Sequence, residues 1–265
     1  MGKAKIEAAI TSVLENGDKA FVPYIMAGDG GIENLKEQIL FLEESGATVV
    51  ELGIPFSDPV ADGPVIQEAG LRALANGTTL AGVLDGLEEW KESRTIPIVL
   101  MTYFNLIFAY GIEKFAERCK EVGVDGLIIP DVPLEEEEMA APVFADHEIA
   151  LIRLAAPTSP QSRLEQIAKR TEGFLYAVTV KGTTGARSRY EDGLPEYLQE
   201  LQSLSAAPVL AGFGVSTPEQ VKELGQYCDG VIVGSKIVEL LAAGKRDEIK
   251  EIIQAAKSNE TVSNV

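Results

Sequence analysis

The chain has 265 residues, of which 46% are hydrophobic and 24% charged, so it has enough apolar side chains to form a large core. Lysine and arginine total 23 against 41 aspartate and glutamate, and the resulting net charge of -18 repels phosphate backbones and anionic lipid surfaces. Nucleic acids and membrane surfaces are therefore poor partners. An anionic small molecule can still bind where backbone N–H groups or helix ends outweigh the overall charge.

Cysteine and histidine are too sparse to build a metal centre. Cys119 and Cys228 lie far apart without Cys-x-x-Cys spacing, and His147 is the single histidine. Zinc chemistry and a Ser-His-Asp triad are thus not expected, and both cysteines are predicted to be small buried side chains of a reducing cytosol. Since no apolar run approaches the roughly 18 residues of a membrane span, we expect a soluble, cytoplasmic protein.

Eight short apolar runs recur along the chain, with amphipathic helical stretches between them. The predicted strands are Phe21–Met26, Thr48–Leu52, Pro97–Thr102, Gly126–Ile129, Ile149–Leu154, Leu175–Val178, Pro208–Ala211 and Gly230–Val233. Each run is almost wholly apolar, as expected for parallel strands covered on both faces. Eight strand–helix units in about 250 residues predict an α/β protein with a single (β/α)8 barrel domain over residues 1–265; a doubly wound open sheet is the alternative.

Three features of the helices can be predicted. The leading segment KAKIEAAITSVLENG forms an additional amphipathic helix before the first strand, able to cover the N-terminal end of the barrel. The segments TSPQSRLEQIAKR and STPEQVKELG each start a helix with Ser or Thr as the N-cap and with Pro160 or Pro218 as the first helical residue. The acidic run Glu135–Glu138 is predicted to be the solvated first turn of a helix, where the helix dipole favours negative charge.

Two strand-to-helix connections are longer than the usual 2 to 6 residues, namely Gly53–Pro64 and Lys181–Asp192. Both follow a predicted strand, so in a barrel they lie at the C-terminal face, where catalytic residues and lids are found. They are the first candidates for a functional site.

A carboxylate near the end of the second predicted strand marks the first of these loops. Glu51 interrupts an apolar run, and a carboxylate is expensive to bury unless it is paired or functional. A dry environment would raise its pKa and suit it to proton transfer; the alternative is an outward Glu51 paired with a lysine or arginine. In the following loop, Asp58 is predicted to be a structural turn residue, whereas Asp62 fits a cap or a functional role equally well.

Glycines follow three consecutive predicted strands, at Gly182–Gly185, Gly212–Gly214 and Gly234 with Ser235. Glycine lets backbone N–H groups approach an anion closely, and a helix beginning after the eighth strand would direct its positive N-terminus to the same place. Because phosphate sites of such barrels lie in the loops after strands seven and eight, these turns predict a phosphate site.

The motifs ELGIPFSDPVADGPVIQEAG, IIPDVPLEE, GTTG, AGFGVSTPEQV and DGVIVGS together resemble the tryptophan synthase alpha subunit family, and the resemblance covers essentially the whole chain. It implies retro-aldol cleavage of indole-3-glycerol phosphate to indole and glyceraldehyde 3-phosphate. It also implies an alpha2beta2 complex, in which a pyridoxal-phosphate-dependent beta subunit consumes the indole. This chain would need no metal and no organic cofactor of its own.

The resemblance also implies roles for individual residues. Glu51 would be the general acid/base that protonates the indole ring carbon and takes the proton from the glycerol hydroxyl, and Asp62 would hold the indole N–H and stabilise the charged ring. The residues implied to bind substrate are Tyr24, Met101, Ile128, Pro130 and Tyr176 around the indole, and Gly185, Gly214, Gly234 and Ser235 with the backbone around Phe213 at the phosphate. The segment Val180–Lys181 departs from some members of the family, which affects only the second long loop.

Two other functions fit the same residues. One is a free-standing indole-3-glycerol-phosphate lyase that releases indole, which differs only in partner binding. The other is a non-catalytic barrel that binds phosphate esters, and the presence of both Glu51 and Asp62 disfavours it.

Overall fold

The computed structural model describes residues 2–179, 193–212 and 214–258. Within these residues, eight parallel strands close into a barrel in chain order, with the eighth strand paired to the first. The strands are β1 (Ala20–Met26), β2 (Val50–Gly53), β3 (Ile98–Met101), β4 (Gly126–Ile128), β5 (Ala150–Ala155), β6 (Leu175–Val178), β7 (Val209–Gly212) and β8 (Gly230–Val233). The predicted barrel is confirmed, each strand lies within two residues of its predicted bounds, and the open sheet is wrong.

Helices surround the barrel. Those in the described ranges are α1 (Lys3–Glu15), α2 (Leu35–Ser45), α3 (Pro64–Ala75), α4 (Leu80–Glu89), α5 (Phe104–Tyr110), α6 (Ile112–Val122), α7 (Ala141–Asp146), α8 (Gln161–Arg170), α9 (Leu194–Leu204), α10 (Pro218–Leu224), α11 (Ser235–Ala242) and α12 (Arg246–Gln254). The predicted cap of α10 is confirmed, because the Thr217 side chain accepts a hydrogen bond from the Gln220 N–H and Pro218 is the first helical residue. The same prediction for α8 is wrong, because α8 begins at Gln161 and Pro160 is its N-cap, without a side-chain hydrogen bond.

The strands separate two hydrophobic layers, which explains why they are apolar along their whole length. Successive side chains of a strand point to opposite faces. On β1, Val22 and Tyr24 belong to the cluster inside the barrel, whereas Phe21 and Ile25 belong to the cluster between the sheet and the helices. The same alternation on β2 sends Leu52 outward and leaves Glu51 on the inner face with Val49.

The additional helix α1 covers the N-terminal end of the barrel, as predicted. Ile6 is fully buried in the inner cluster. It occupies the space that a side chain would need at Gly126, where a Cβ would lie 2.9 Å from Ile6 Cδ1. The Gly2 N–H donates to Oδ1 of the buried Asp125 at 2.8 Å, and Asp125 Oδ2 accepts a hydrogen bond from the Ile98 N–H at 3.1 Å. One carboxylate therefore ties α1 to the starts of β3 and β4.

The prediction for the acidic run Glu135–Glu138 is partly wrong. Glu137 is buried in a short 3-10 turn, Glu137–Met139, and its carboxylate forms a 2.7 Å ion pair with Arg153 of β5. A carboxylate paired in this way loses the exposure that a solvated first turn would have. Glu135, by contrast, is exposed and pairs with Arg163 of α8, as a surface acid would.

The prediction that both cysteines are small buried side chains is confirmed. Cys119 and Cys228 are both buried and free, and burial raises the pKa of the Cys228 thiol to about 11. His147 lies at the C-terminal end of α7. No helix in the described ranges is long and apolar enough to cross a membrane.

Candidate functional site

A cavity opens at the C-terminal end of the barrel, and the predicted site residues that the structure describes line it together. They are Tyr24, Glu51, Asp62, Met101, Ile128, Pro130, Tyr176, Gly214, Gly234 and Ser235. The cavity thus has a carboxyl and aromatic end around Glu51 and a glycine-lined end beside α11. Gly185, Phe213 and the second long loop, Lys181–Asp192, lie outside the described residues.

Strand register brings the residues of the first end together. Tyr24 of β1 lies opposite Glu51 of β2. Met101 of β3 lies opposite Gly53 on one side and Ile128 of β4 on the other. Because paired residues on neighbouring strands are about 5 Å apart, these inward side chains form one continuous wall.

Glu51 is buried, and no described residue supplies a counter-ion for it. It is 4% exposed, and it forms no ion pair with a lysine or arginine in the part of the chain that the structure describes, so the outward, paired alternative is wrong. Its Oε2 atom is buried and has no hydrogen-bond partner among the described residues. Burial, together with the nearby charge of Asp62, raises the pKa of Glu51 to about 8. At neutral pH this carboxyl group is therefore mainly protonated.

Asp62 enters the cavity from the loop after β2. It is 7% exposed, and its Oδ2 accepts a hydrogen bond from the Tyr103 hydroxyl at 3.1 Å. Burial raises the pKa of Asp62 to about 6, and the hydrogen bond from Tyr103 opposes that rise. Asp62 is therefore mainly ionised at neutral pH. Asp58 of the same loop is exposed and does not line the cavity.

Two glycines make room for the two tyrosines of the site. A Cβ on Gly53 would overlap the Tyr24 hydroxyl, and a Cβ on Gly212 would lie 2.5 Å from the Tyr176 ring. Gly212, which the sequence groups with the phosphate glycines, thus serves to admit an aromatic ring. Burial and the two nearby carboxyl groups raise the pKa of both tyrosines, so their hydroxyl groups stay protonated.

The opposite end of the cavity is built from backbone. Gly214 follows β7 with a φ of 88°, a left-handed conformation that favours glycine. Gly234 precedes α11, and Ser235 is its first residue. The first N–H groups of a helix have no partner within it, and they carry partial positive charge. This end can therefore receive an anionic group in spite of the overall negative charge.

Sequence reasoning missed several residues of the site. The cavity is also lined by Ala61, Val65, Ile66, Leu154, Val215, Ser216, Lys236 and Glu239. Lys236 could have been predicted from the sequence, because it directly follows the Gly234–Ser235 turn at the start of a helix. Leu154 and the residues of α3 look like ordinary core positions in sequence. Tyr103, which donates the hydrogen bond to Asp62, does not itself line the cavity. The residues around Tyr103 give no indication in the sequence of this contact.

Replacing Glu51 with Gln should change how stability depends on pH. The raised pKa means that the folded chain keeps a proton on Glu51 up to about 8, whereas the unfolded chain releases it near 4.5. Wild type therefore loses stability as the pH rises through this window, by up to about 1.4 kcal/mol per pH unit, and Glu51→Gln lacks that loss. Urea unfolding at about pH 5 and about pH 9 measures the difference.

The control is Glu44→Gln, which removes an exposed carboxylate of α2 and should follow wild type at both pH values. Parallel stability curves for wild type and Glu51→Gln would show that Glu51 titrates as an ordinary exposed glutamate.

Comparison with known proteins identifies the family. The tryptophan synthase alpha chain family matches residues 10–265. The chain is 56% identical to the tryptophan synthase alpha chain of Oceanobacillus iheyensis over 262 residues, which cover 99% of this chain and 100% of that one. It is 54% identical to the alpha chain of Bacillus thuringiensis over 260 residues, with 98% and 99% coverage.

Solved structures agree with the sequence relatives. A tryptophan synthase structure of Mycobacterium tuberculosis superposes with a TM-score of 0.89 at 32% identity, covering 96% of this chain and 98% of that chain. The alpha chain of Legionella pneumophila superposes with a TM-score of 0.86 at 32% identity, covering 97% and 99%. The chain belongs to the tryptophan synthase alpha chain family, whose members are lyases that cleave indole-3-glycerol phosphate.

Proposed function

We propose that Glu51 and Asp62 are the catalytic pair for the cleavage of indole-3-glycerol phosphate to indole and glyceraldehyde 3-phosphate. The observation that carries this proposal is that one cavity buries both carboxyl groups, with Glu51 Oε2 lacking a hydrogen-bond partner among the described residues and Asp62 accepting the Tyr103 hydroxyl. This difference in environment raises the pKa of Glu51 to about 8 and that of Asp62 to about 6. Near neutral pH the pair therefore presents one proton donor and one anion. Two carboxyl groups held in different protonation states are a recurrent basis for assigning acid and anion roles.

Glu51 supplies and recovers a single proton. Its protonated carboxyl group donates to the indole ring carbon that carries the glycerol chain, and the ring becomes positively charged. The resulting carboxylate takes the proton from the hydroxyl group on the adjacent chain carbon. The carbon–carbon bond then breaks, its electron pair returns to the ring, and the chain leaves as an aldehyde. Glu51 ends the cycle protonated, as general acid/base catalysis requires.

Asp62 stabilises the charged ring. Its carboxylate accepts a hydrogen bond from the indole N–H, and that nitrogen carries much of the positive charge after the ring is protonated. A fixed anion in a site that excludes water stabilises such a charge far better than it would in solution. This role requires Asp62 to remain ionised while Glu51 is protonated.

The remaining lining residues bind the two halves of the substrate. Tyr24, Met101, Ile128, Pro130 and Tyr176 offer an apolar and aromatic surface for the indole ring. Gly214, Gly234 and Ser235 offer backbone N–H groups and a hydroxyl group for the phosphate. Gly185 and Phe213 are assigned to the phosphate on the family resemblance alone.

Single substitutions of the two carboxyl groups test the proposal. Glu51→Gln should lower kcat by about 10² to 10⁴, because an amide cannot transfer the proton. Asp62→Asn should lower kcat more than it raises KM, because the amide oxygen still accepts the N–H but carries no charge. Steady-state assays of indole release measure both. Asp58→Asn, on the exposed part of the same loop, is the matched control, and a Glu51→Gln variant with half of wild-type turnover would contradict the proposal.

A charge placed at Gly234 tests the phosphate end. Gly234→Asp should weaken binding of glycerol 3-phosphate by about tenfold or more, because it puts a carboxylate beside the helix N-terminus. The nearest atom to a Cβ at Gly234 would be Tyr24 Cβ at 3.6 Å, so an alanine fits there without a clash. Gly234→Ala is therefore the control, and it should bind glycerol 3-phosphate as wild type does. Calorimetry measures both affinities. Wild-type affinity in a folded Gly234→Asp variant would place the phosphate elsewhere.

We further propose that the chain acts in an alpha2beta2 complex with a pyridoxal-phosphate-dependent beta subunit in the cytoplasm, and that it has no metal or organic cofactor of its own. The membership of the tryptophan synthase alpha chain family supports the partner. Two large apolar side chains beside the C-terminal face also support it. Val60, in the loop that holds Asp62, is 73% exposed, and Phe108 of α5 is 68% exposed. A partner that covers Val60 can affect Asp62 directly.

Adding the beta subunit should raise indole-3-glycerol phosphate turnover by at least about fivefold, the lower end of common coupling between sites. Turnover is measured for the chain alone and with saturating beta subunit. Val60→Asp should reduce this activation, whereas Leu71→Asp, at an exposed apolar residue of α3, is the control. Equal turnover with and without the partner would favour a free-standing lyase.

A further inference from the structure

Tyr103 connects the end of β3 to the loop that holds Asp62. It is 1% exposed and lies two residues after β3. Its hydroxyl group donates to Asp62 Oδ2 at 3.1 Å and accepts a hydrogen bond from the Ala61 N–H at 3.1 Å. Its ring stacks on Phe56 with centroids 5.2 Å apart. One side chain thus contacts three residues of the segment between β2 and α3.

We propose that Tyr103 is a positioning residue that holds the Asp62 carboxylate ionised and directed at the indole nitrogen. This inference rests on the proposed role of Asp62 and deepens it. Tyr103 itself neither lines the cavity nor transfers a proton.

The segment that carries Asp62 needs such a support. Residues 54–63 contain no helix or strand, and several of them, including Ser57, Asp58 and Val60, are exposed. A carboxylate on an unsupported loop would turn towards water, where its charge is best solvated. The two hydrogen bonds of the Tyr103 hydroxyl fix both the carboxylate and the adjacent backbone N–H, so they determine the direction of the side chain as well as its charge.

Tyr103 is itself held firmly. The next residue, Phe104, begins α5, and its N–H donates to Asp131 Oδ1 at 3.0 Å. Burial raises the pKa of Tyr103 above its ordinary value, so the hydroxyl group remains a donor throughout the range in which Asp62 ionises. A donor that persists over this range favours the carboxylate over the protonated acid.

Other groups act on the same carboxylate and must be separated from Tyr103. Glu51 of β2, Tyr24 of β1 and Tyr176 of β6 are electrostatically coupled to Asp62. Lys236 and Glu239 of α11 line the same cavity. The Tyr103 hydroxyl nevertheless acts directly, because it donates a hydrogen bond to Asp62 Oδ2. Its removal leaves all the other groups in place.

Tyr103→Phe removes only the hydroxyl group and keeps the ring that stacks on Phe56. We expect the acidic limb of the pH profile of kcat/KM to move upward from near 6 by about one pH unit. At neutral pH kcat should fall by about tenfold, of which the shifted ionisation accounts for about twofold and the lost orientation of the Asp62 carboxylate for the rest. KM should change less than about twofold, because the binding surface remains. Tyr110→Phe, on α5, is the matched control and should keep the wild-type profile.

A double-mutant cycle excludes a merely structural role. In an Asp62→Asn background no carboxylate remains to be held ionised, so Tyr103→Phe should change kcat less than about twofold. Additive losses, or a wild-type acidic limb in Tyr103→Phe, would overturn the proposal. If Asp62→Asn alone leaves kcat unchanged, the proposed role of Asp62 is wrong, and the positioning role of Tyr103 falls with it. Urea unfolding of each variant confirms that the folded state is being compared.

Discussion

The closure of a parallel sheet into a barrel is the constraint on which the rest of this structure depends. In a closed barrel every second side chain of a strand must face the interior, where neighbouring side chains leave little room for water. On β2 this alternation directs Leu52 towards the helices and Glu51 towards the centre. Glu51 reaches the site because it occupies an inward-facing position in the two-residue alternation of β2.

Burial then gives the two carboxyl groups different properties. Glu51 is fixed on a strand and has no hydrogen-bond donor for Oε2 among the described residues, so burial strongly favours its neutral form. Asp62 lies on a loop and receives the Tyr103 hydroxyl, which offsets part of the same effect. Each group also affects the other, because a negative Asp62 makes a second negative charge at Glu51 less favourable. Burial in the same cavity thus keeps Glu51 protonated, whereas the hydrogen bond from Tyr103 helps to keep Asp62 ionised.

The features that the sequence predicted correctly follow from the periodicity of neighbouring residues. The features that it missed are contacts between side chains far apart in the chain. The eight strands and the inward Glu51 follow from patterns within a few residues. Glu137 and Arg153 are 16 residues apart, and Tyr103 and Asp62 are 41 residues apart. Neither of these side-chain pairs can be predicted from the residues next to them in sequence. Gly212 shows the same limit. Its place in a glycine-rich turn suggested an anion site, whereas the Tyr176 ring on the neighbouring strand explains it.

The position of α1 has a consequence for the order in which the molecule can assemble. Gly2 binds Asp125, a separation of 123 residues, and Ile6 packs at Gly126 and Gly173. During synthesis α1 is made long before the segments that lead into β4, β5 and β6, where Asp125, Glu148 and Gly173 contact α1 or its N-cap. These contacts of α1 cannot form until those segments have left the ribosome. Because contacts so distant in sequence form slowly, we expect docking of α1 at the N-terminal end of the barrel to be a late folding event.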